Sequence, residues 1–349
     1  MGKSGMVKYD PTVLGRIMRS TLSRLGVNDD SVAHAVTAMI QTSLRGVDSH
    51  GINLFPHYYR SYKSGRLNKE PEFMITNEGP SFAIMDADHA IGHHAGAFAM
   101  QYAIGKATGS GIGAVAVKDS SHFGAAAYFG LMAAKQGMLG LAFTNADALV
   151  KAHNGRNAFF GTNPICFTAP MEDEEPFCLD MATSQVSWNK IKNYRREDKP
   201  LEPGWANDAQ GLPVIDPHSA ASLNPIGLYK GFGLGMMIDI LCSAITSSVS
   251  GKDMLPMFTS APDAHRHVGH FFMAIDVGQM TDLVTFRRSL QSLCNRVRAE
   301  EPFGDFPVMV AGDPEKQSEK YRKVHGIPVL EEVHVEFCGI DKDFMHCTI

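Results

Sequence analysis

Apolar positions recur at helical spacing three times before residue 70. In DPTVLGRIMRSTLSRLG they fall at 14, 17, 18, 22 and 25. Asp10 stands as the N-cap, Pro11 at the first helical position, and Gly26 as the stop. NDDSVAHAVTAMIQTSLRG sets Val32, Val36, Ile40 and Leu44 on one face. A third helix is expected from near Ser49, turning Ile52, Phe55, Tyr59 and Tyr62 inward and ending at Gly65. This predicts a helical N-terminal lobe over residues 1–75.

The texture then changes. SFAIMDAD, IGAVAVK, LGLAFTN, EPFCLDMA and GHFFMAID (269–276) read as short buried strands. Helices are expected near 93–108 and 125–136, an apolar one over 231–249, and an amphipathic one over 281–300. The last carries Leu283, Phe286, Leu290, Leu293 and Val297 on one side. Residues 195–228 read as a long loop rich in Pro, Asn and Asp. Helices followed by mixed strands and helices predict an α+β fold. Residues 76–250 would form the core, and 251–349 a strand/helix segment completing the lobes.

Composition narrows the function classes. The chain has 349 residues, enough for two lobes. Its net charge of −5 without a basic run argues against nucleic acid. The six cysteines stand singly, as expected in a reducing cytoplasm. The longest apolar stretch contains Asp239 and glycines and is too short to span a bilayer, so no membrane is expected.

The candidate chemistry begins at RGVDSHG (45–51). Gly46 as a helix end and Asp48 or Ser49 as a cap explain part of it as a plain joint. Arg45 and His50 are left over. A helix start favours an anion, Arg45 offers a bidentate fork, and His50 titrates near neutrality. DSSHFGAAAYF puts Ser121 and His122 at the end of a strand, where ligands often bind, although a capped turn explains them too. FFGTNPICFTAP offers turn N–H groups around Gly161 and Thr162, and FCLDMATSQVSW places Asp180 at the end of a buried strand. Lys230 opens a helix in GLYKGFGLGMMIDIL, which suits a phosphate.

GSGIGA (109–114) matches the letters of the dinucleotide fingerprint in the wrong context, after a helix and before a strand. A Rossmann domain is therefore not expected. The fifteen histidines include His93, His94 and three in HRHVGH (265, 267, 270), with no HExxH spacing. No metal is assigned, and a histidine-dependent metal lyase or hydrolase stands as an alternative of another class. A silent binding protein is a third.

Taken in order, RGVDSHG, DSSHFGAAAYF, GTNPICFTAP, LDMATSQV, PGWANDAQGLPVIDP, LYKGFGLGMMIDIL and AGDPE resemble the malate/L-lactate dehydrogenase family, whose fold is not Rossmann. Ureidoglycolate and sulfolactate dehydrogenases, 2,3-diketogulonate reductase and a cyclic imino-acid reductase belong to it. The resemblance implies hydride transfer between NAD or NADP and a 2-oxo/2-hydroxy acid, or its C=N analogue. It implies a mixed-sheet cofactor domain beside the helical lobe. It makes His50 the proton donor and acceptor, with Ser49 beside it, His122 in the same pocket and Asp180 in support. Arg45 and Thr162 would hold substrate. Gly161, Asp180, Met181, Ala182, Tyr229, Lys230, Gly312, Asp313 and Pro314 would contact the cofactor. It also implies a homodimer with sites shared between subunits. Two departures stand out. Arg195 and Arg196 form a basic pair that would favour NADP near a ribose, or else a solvated surface. The end, EEVHVEFCGIDKDFMHCTI, does not resemble the family's final helix.

Overall fold

The computed structural model describes residues 5–349. Its main sheet has seven strands, in the order β2 (Met74–Glu78), β3 (Phe82–Asp86), β4 (Ile112–Ser120), β13 (Val268–Asp276), β5 (Met138–Thr144), β8 (Ile165–Ala169) and β9 (Phe177–Met181). Every neighbouring pair is antiparallel except β3 and β4. That one parallel pair is joined by α4 (Gly92–Ser110), so the sheet is mixed and not doubly wound. GSGIGA falls where the sequence places it: α4 ends at Ser110, Gly111 caps it with φ 81°, and β4 follows.

One face of this sheet is covered by α4 and α5 (Ala127–Lys135). Alanines at 95, 99, 103 and 107 let α4 lie close to the strands, and Phe123, Phe129 and Phe272 fill the gap beyond. The other face meets α7 (Tyr229–Asp239), which runs on into a π-turn at Ile240–Ala244.

The helical lobe is built from α1 (Pro11–Arg24), α2 (Asp29–Leu44) and α3 (Phe55–Ser64). Asp10 accepts from Thr12 and Val13 and caps α1 as expected. The lobe also recruits the end of the chain. β1 (Met6–Tyr9) pairs with β14 (Ile327–Leu330), and α11 (Glu331–Ile340) brings Phe337 onto Phe55 and Phe344. The C-terminal segment is thus helical and packed into the N-terminal core. α10 (Asp313–His325) lies between the two bodies of the fold and touches α2.

Two elements differ from the expectation. α3 starts at Phe55, after a turn and a 3-10 stretch at Ile52–Leu54, and it buries Tyr58 rather than Tyr59. Pro56 sits at its first turn, where a missing N–H is harmless. The supposed loop 195–228 starts with the end of α6 (Trp188–Arg196) and holds strands of a small sheet. Its order is β11 (Pro213–Val214), β10 (Ala206–Asn207), β12 (Ser222–Leu223), β6 (Val150–Lys151) and β7 (Ala158–Phe160). Two-residue strands are too short to show alternation. The amphipathic helix expected over 281–300 is α9 (Leu283–Arg298), entered from α8 (Val277–Met280); on its apolar face Leu283, Phe286 and Leu290 are half-buried, while Leu293 is 49% and Val297 37% exposed. No helix of the described residues is long and apolar enough to cross a membrane.

Candidate active site

The turn between α2 and α3 carries RGVDSHG. Arg45 ends α2, and Gly46 takes φ 87°, which a side chain seldom adopts. The chain then doubles back tightly. His50 N–H donates to the Val47 carbonyl at 3.1 Å, and Ile52 N–H to Ser43 Oγ at 3.0 Å. A Cβ at Gly51 would meet Ser43 Oγ at 2.1 Å, so only glycine lets the turn press on α2. α10 holds it from the other side. Arg322 grips Asp48 with both nitrogens, at 2.5 and 2.9 Å, and Glu319 lies 3.6 Å from Arg45. Asp48 is therefore an ion-pair partner and not a helix cap. His50 sits in the turn itself, not at the N-terminus of a helix.

This turn opens on a cavity of about 960 Å³. Arg45, Ser49, His50, His122, Thr162 and Asp180 all line it. Ser49 Oγ lies 2.8 Å from His50 Nδ1. The His50 and His122 rings stack at 5.7 Å, and Tyr58 Oη lies 2.7 Å from His122 Nδ1. Burial lowers the pKa of His50, and lowers that of His122 well below the imidazole norm, with His50 adding repulsion. Asp180 is accessible through the cavity but walled in by protein, and this burial lifts its carboxyl to about 6. The Ala127 N–H donates to Asp180 Oδ2 at 2.8 Å and Arg45 adds attraction, both opposing the rise. Arg45 is buried, and its Nη2 has no hydrogen-bond partner. A buried guanidinium nitrogen is costly to leave unpaired, and a carboxylate in the cavity would satisfy it.

The other residues singled out in the sequence divide. Met181, Ala182, Gly312 and Pro314 line the same cavity. Gly161 and Asp313 do not. Asp313 is spent on Arg298, at 2.6 and 2.8 Å, and on the Val310 N–H, which hold the turn of AGDPE in place. Tyr229 and Lys230 open α7 and are exposed, outside the cavity lining. Ser121 Oγ accepts from the Gly92 N–H at 3.0 Å, so it caps α4 and is not free for a ligand. Arg195 donates to the Pro217 and Ala220 carbonyls, and Arg196 pairs with Glu332 at 2.8 Å.

Sequence reasoning missed part of the wall. Asp147 lines the cavity and is held by buried Arg266 at 2.5 Å. Arg266 lay inside HRHVGH, read only for its histidines. Lys192, Met254 and residues 256–259 also face the cavity, and nothing in their local pattern announced it. His270 of the same cluster is a core residue, satisfied by Thr144 at 2.8 Å and Ser120 at 2.9 Å.

Comparison with known proteins supplies the context for this geometry. A family model described as malate/L-lactate dehydrogenase matches residues 9–337. The malate dehydrogenase of Pyrococcus abyssi is 34% identical over 323 residues, 89% of this chain and 88% of the relative. The ureidoglycolate dehydrogenase (NAD(+)) of Escherichia coli K12 is 29% identical over 329 residues, 94% of both. Among solved structures, the sulfolactate dehydrogenase from Methanocaldococcus jannaschii superposes with a TM-score of 0.90 at 29% identity, covering 98% of both chains.

Proposed function

Since the chain belongs to the malate/L-lactate dehydrogenase family, we propose that it interconverts a small 2-hydroxy acid and its 2-oxo acid, with His50 exchanging the proton. The protein is an NAD- or NADP-dependent oxidoreductase acting on hydroxy acids. Family membership displaces the alternative of a metal-dependent lyase or hydrolase, whose only basis was histidine content.

The single observation that carries the finer reading is Arg45. Its Nη2 is buried and unpartnered in the wall that also presents His50. A 2-oxo or 2-hydroxy acid brings the carboxylate this nitrogen lacks. The cavity volume lies near the top of the range for small-molecule sites, about 300–1,000 Å³, which suits a substrate beside a larger cofactor. Asp180, Met181, Ala182, Gly312 and Pro314 would hold the cofactor, and Thr162 the substrate or cofactor edge. The bound nicotinamide supplies the hydride acceptor or donor.

The residues do the rest. In oxidation, neutral His50 takes the hydroxyl proton, and its burial favours that neutral form. In reduction, the substrate carboxylate favours the protonated ring that gives the proton back. His122, held from behind by Tyr58 at 2.7 Å, forms the second wall of the pocket and keeps bulk water from the reacting carbon. Asp313 acts at one remove by fixing the Gly312–Pro314 turn.

The reading includes a homodimer. Tyr229, Met236, Met237 and Ile240 leave α7 and its extension with exposed apolar surface that a second copy would cover. Lys230 would then meet the cofactor only within the dimer. All six cysteines are free thiols, in keeping with the cytoplasm.

The test is a panel of malate, lactate, ureidoglycolate, a diketogulonate-type acid and a cyclic imino acid, each run with both cofactors. The reading expects turnover of a 2-oxo or 2-hydroxy acid. Turnover of the imino acid alone would move the reading to C=N reduction at the same site. Silence across the panel would remove it.

A further inference from the structure

Three residues far apart in sequence meet away from the cavity. One ring nitrogen each of His89 and His267 and one carboxylate oxygen of Asp119 lie within 4.8 Å of one another. None of the three lines the cavity. All three have left-handed backbones, with φ of 55°, 53° and 53°. Residues with side chains seldom adopt that conformation, and here a turn, the end of β4 and the segment before β13 adopt it where their side chains converge. The His89 turn is tied to the end of β4, because the His89 N–H donates to the Asp119 carbonyl at 2.7 Å. The His89 ring lies flat on His265, with centroids 3.7 Å apart and planes 6° apart, and its Nδ1 is buried without a partner. Two imidazoles and one carboxylate are a donor set for a borderline divalent ion.

We propose that His89, Asp119 and His267 bind a divalent transition-metal ion of the zinc type. His267 is partly exposed, so water reaches the fourth position. Without the ion, His267 Nδ1 and Asp119 Oδ1 are hydrogen-bonded at 2.5 Å. Binding replaces that hydrogen bond with the metal, Nδ1 ligating as neutral imidazole with the ring proton on Nε2. The other oxygen of Asp119 faces Lys118 at 3.6 Å, whose charge is answered by Asp86 at 3.1 Å. The ion has a structural role, since it pins the turn before α4, the end of β4 and the entry to β13 to one another. Arg266, next to His267 in the chain, holds Asp147 in the cavity wall, so the clamp braces the active site from behind. Spacing hid the site: positions 89, 119 and 267 match no local metal motif.

The test uses full-length protein stripped with a chelator and titrated with Co²⁺, read by its visible ligand-field absorption. One Co²⁺ per chain is expected, displaced by Zn²⁺, with a rise in melting temperature on metal addition. His267→Gln and Asp119→Asn should each weaken binding by at least about 100-fold, more than the loss typical of an outer-shell partner. His218→Gln, at an exposed histidine outside the cluster, should leave binding unchanged. Binding unaffected by the cluster variants, or no stoichiometric binding, overturns the proposal. Anomalous scattering from a zinc-soaked wild-type crystal gives an answer that does not depend on the variants folding, and a peak elsewhere, or none, equally overturns it.

Discussion

The Ser49 hydroxyl lies 2.8 Å from Nδ1 of His50. The contact occupies one ring nitrogen and leaves Nε2 to serve the cavity. His50→Ala should therefore cut kcat by at least about 100-fold, the usual scale of a lost acid/base group. Cofactor binding, read by nucleotide fluorescence, should persist. Ser49→Ala should do less, because Ser49 positions the ring: kcat falls while the pH profile moves. Full activity in His50→Ala would take the proton transfer away from this residue.

Arg45→Lys keeps the charge and loses the planar fork. A charge-assisted hydrogen bond is worth roughly 1.5–3 kcal/mol, or about a 10- to 100-fold change. The expected signature is a KM for carboxylate substrates raised by about that factor, with kcat changed less. An unchanged KM would show that Arg45 serves α10 alone, through Glu319.

Burial sets the expected pH profile of the oxidative reaction. It holds His50 below the ordinary imidazole value, so the ring stays an available base as pH falls through 6.5. The kcat/KM for hydroxy-acid oxidation should thus hold at neutral pH and fall only on the more acidic side. A free-enzyme midpoint at or above 6.5 would contradict this assignment. Reduction should show the opposite trend and favour acid.

Acid should also unfold the protein. Burial lowers His93 to about 3 and His270 to about 3, and neither ring nitrogen of His93 has a partner. Below pH 6.5 the unfolded chain takes up protons that these native rings refuse. Each histidine then removes up to about 1.4 kcal/mol of stability per pH unit, a loss that continues down to the folded values. Asp239 and Asp180, both raised to about 6, work the other way between their unfolded values and pH 6. His57 and His94, each lowered to about 4, add to the histidine side. Melting temperatures measured from pH 7 to pH 4.5 should fall steadily; a flat curve would mean that the rings are not buried neutral.

Phe337→Ala tests whether the end of the chain belongs to the helical lobe. The ring is fully buried, stacked on Phe55 at 5.6 Å and beside Phe344 at 4.8 Å. Its removal should cost about 3–5 kcal/mol in denaturant unfolding. A loss under about 1 kcal/mol would mean that the segment packs only loosely.

Much was legible along the chain because the signals were local. Asp10, Pro11 and Gly26 bound the first helix by backbone chemistry that neighbours hardly alter. The decoy GSGIGA was settled by the elements on either side of it, again a local fact. Arg45, Ser49 and His50 share one turn, so their nearness is written into the sequence. Their chemistry was not, since a polar joint between helices uses the same letters. What only the tertiary structure decided depends on distant contacts. Asp48 became an ion-pair partner because α10 delivers Arg322 from 274 residues away. Asp180 acquired its raised pKa from walls built by other segments. Asp147, Arg266 and the His89–Asp119–His267 cluster came together through sheet pairing and loop closure. Periodicity records which face of an element is buried. It does not record what buries it, and there the sequence alone stops.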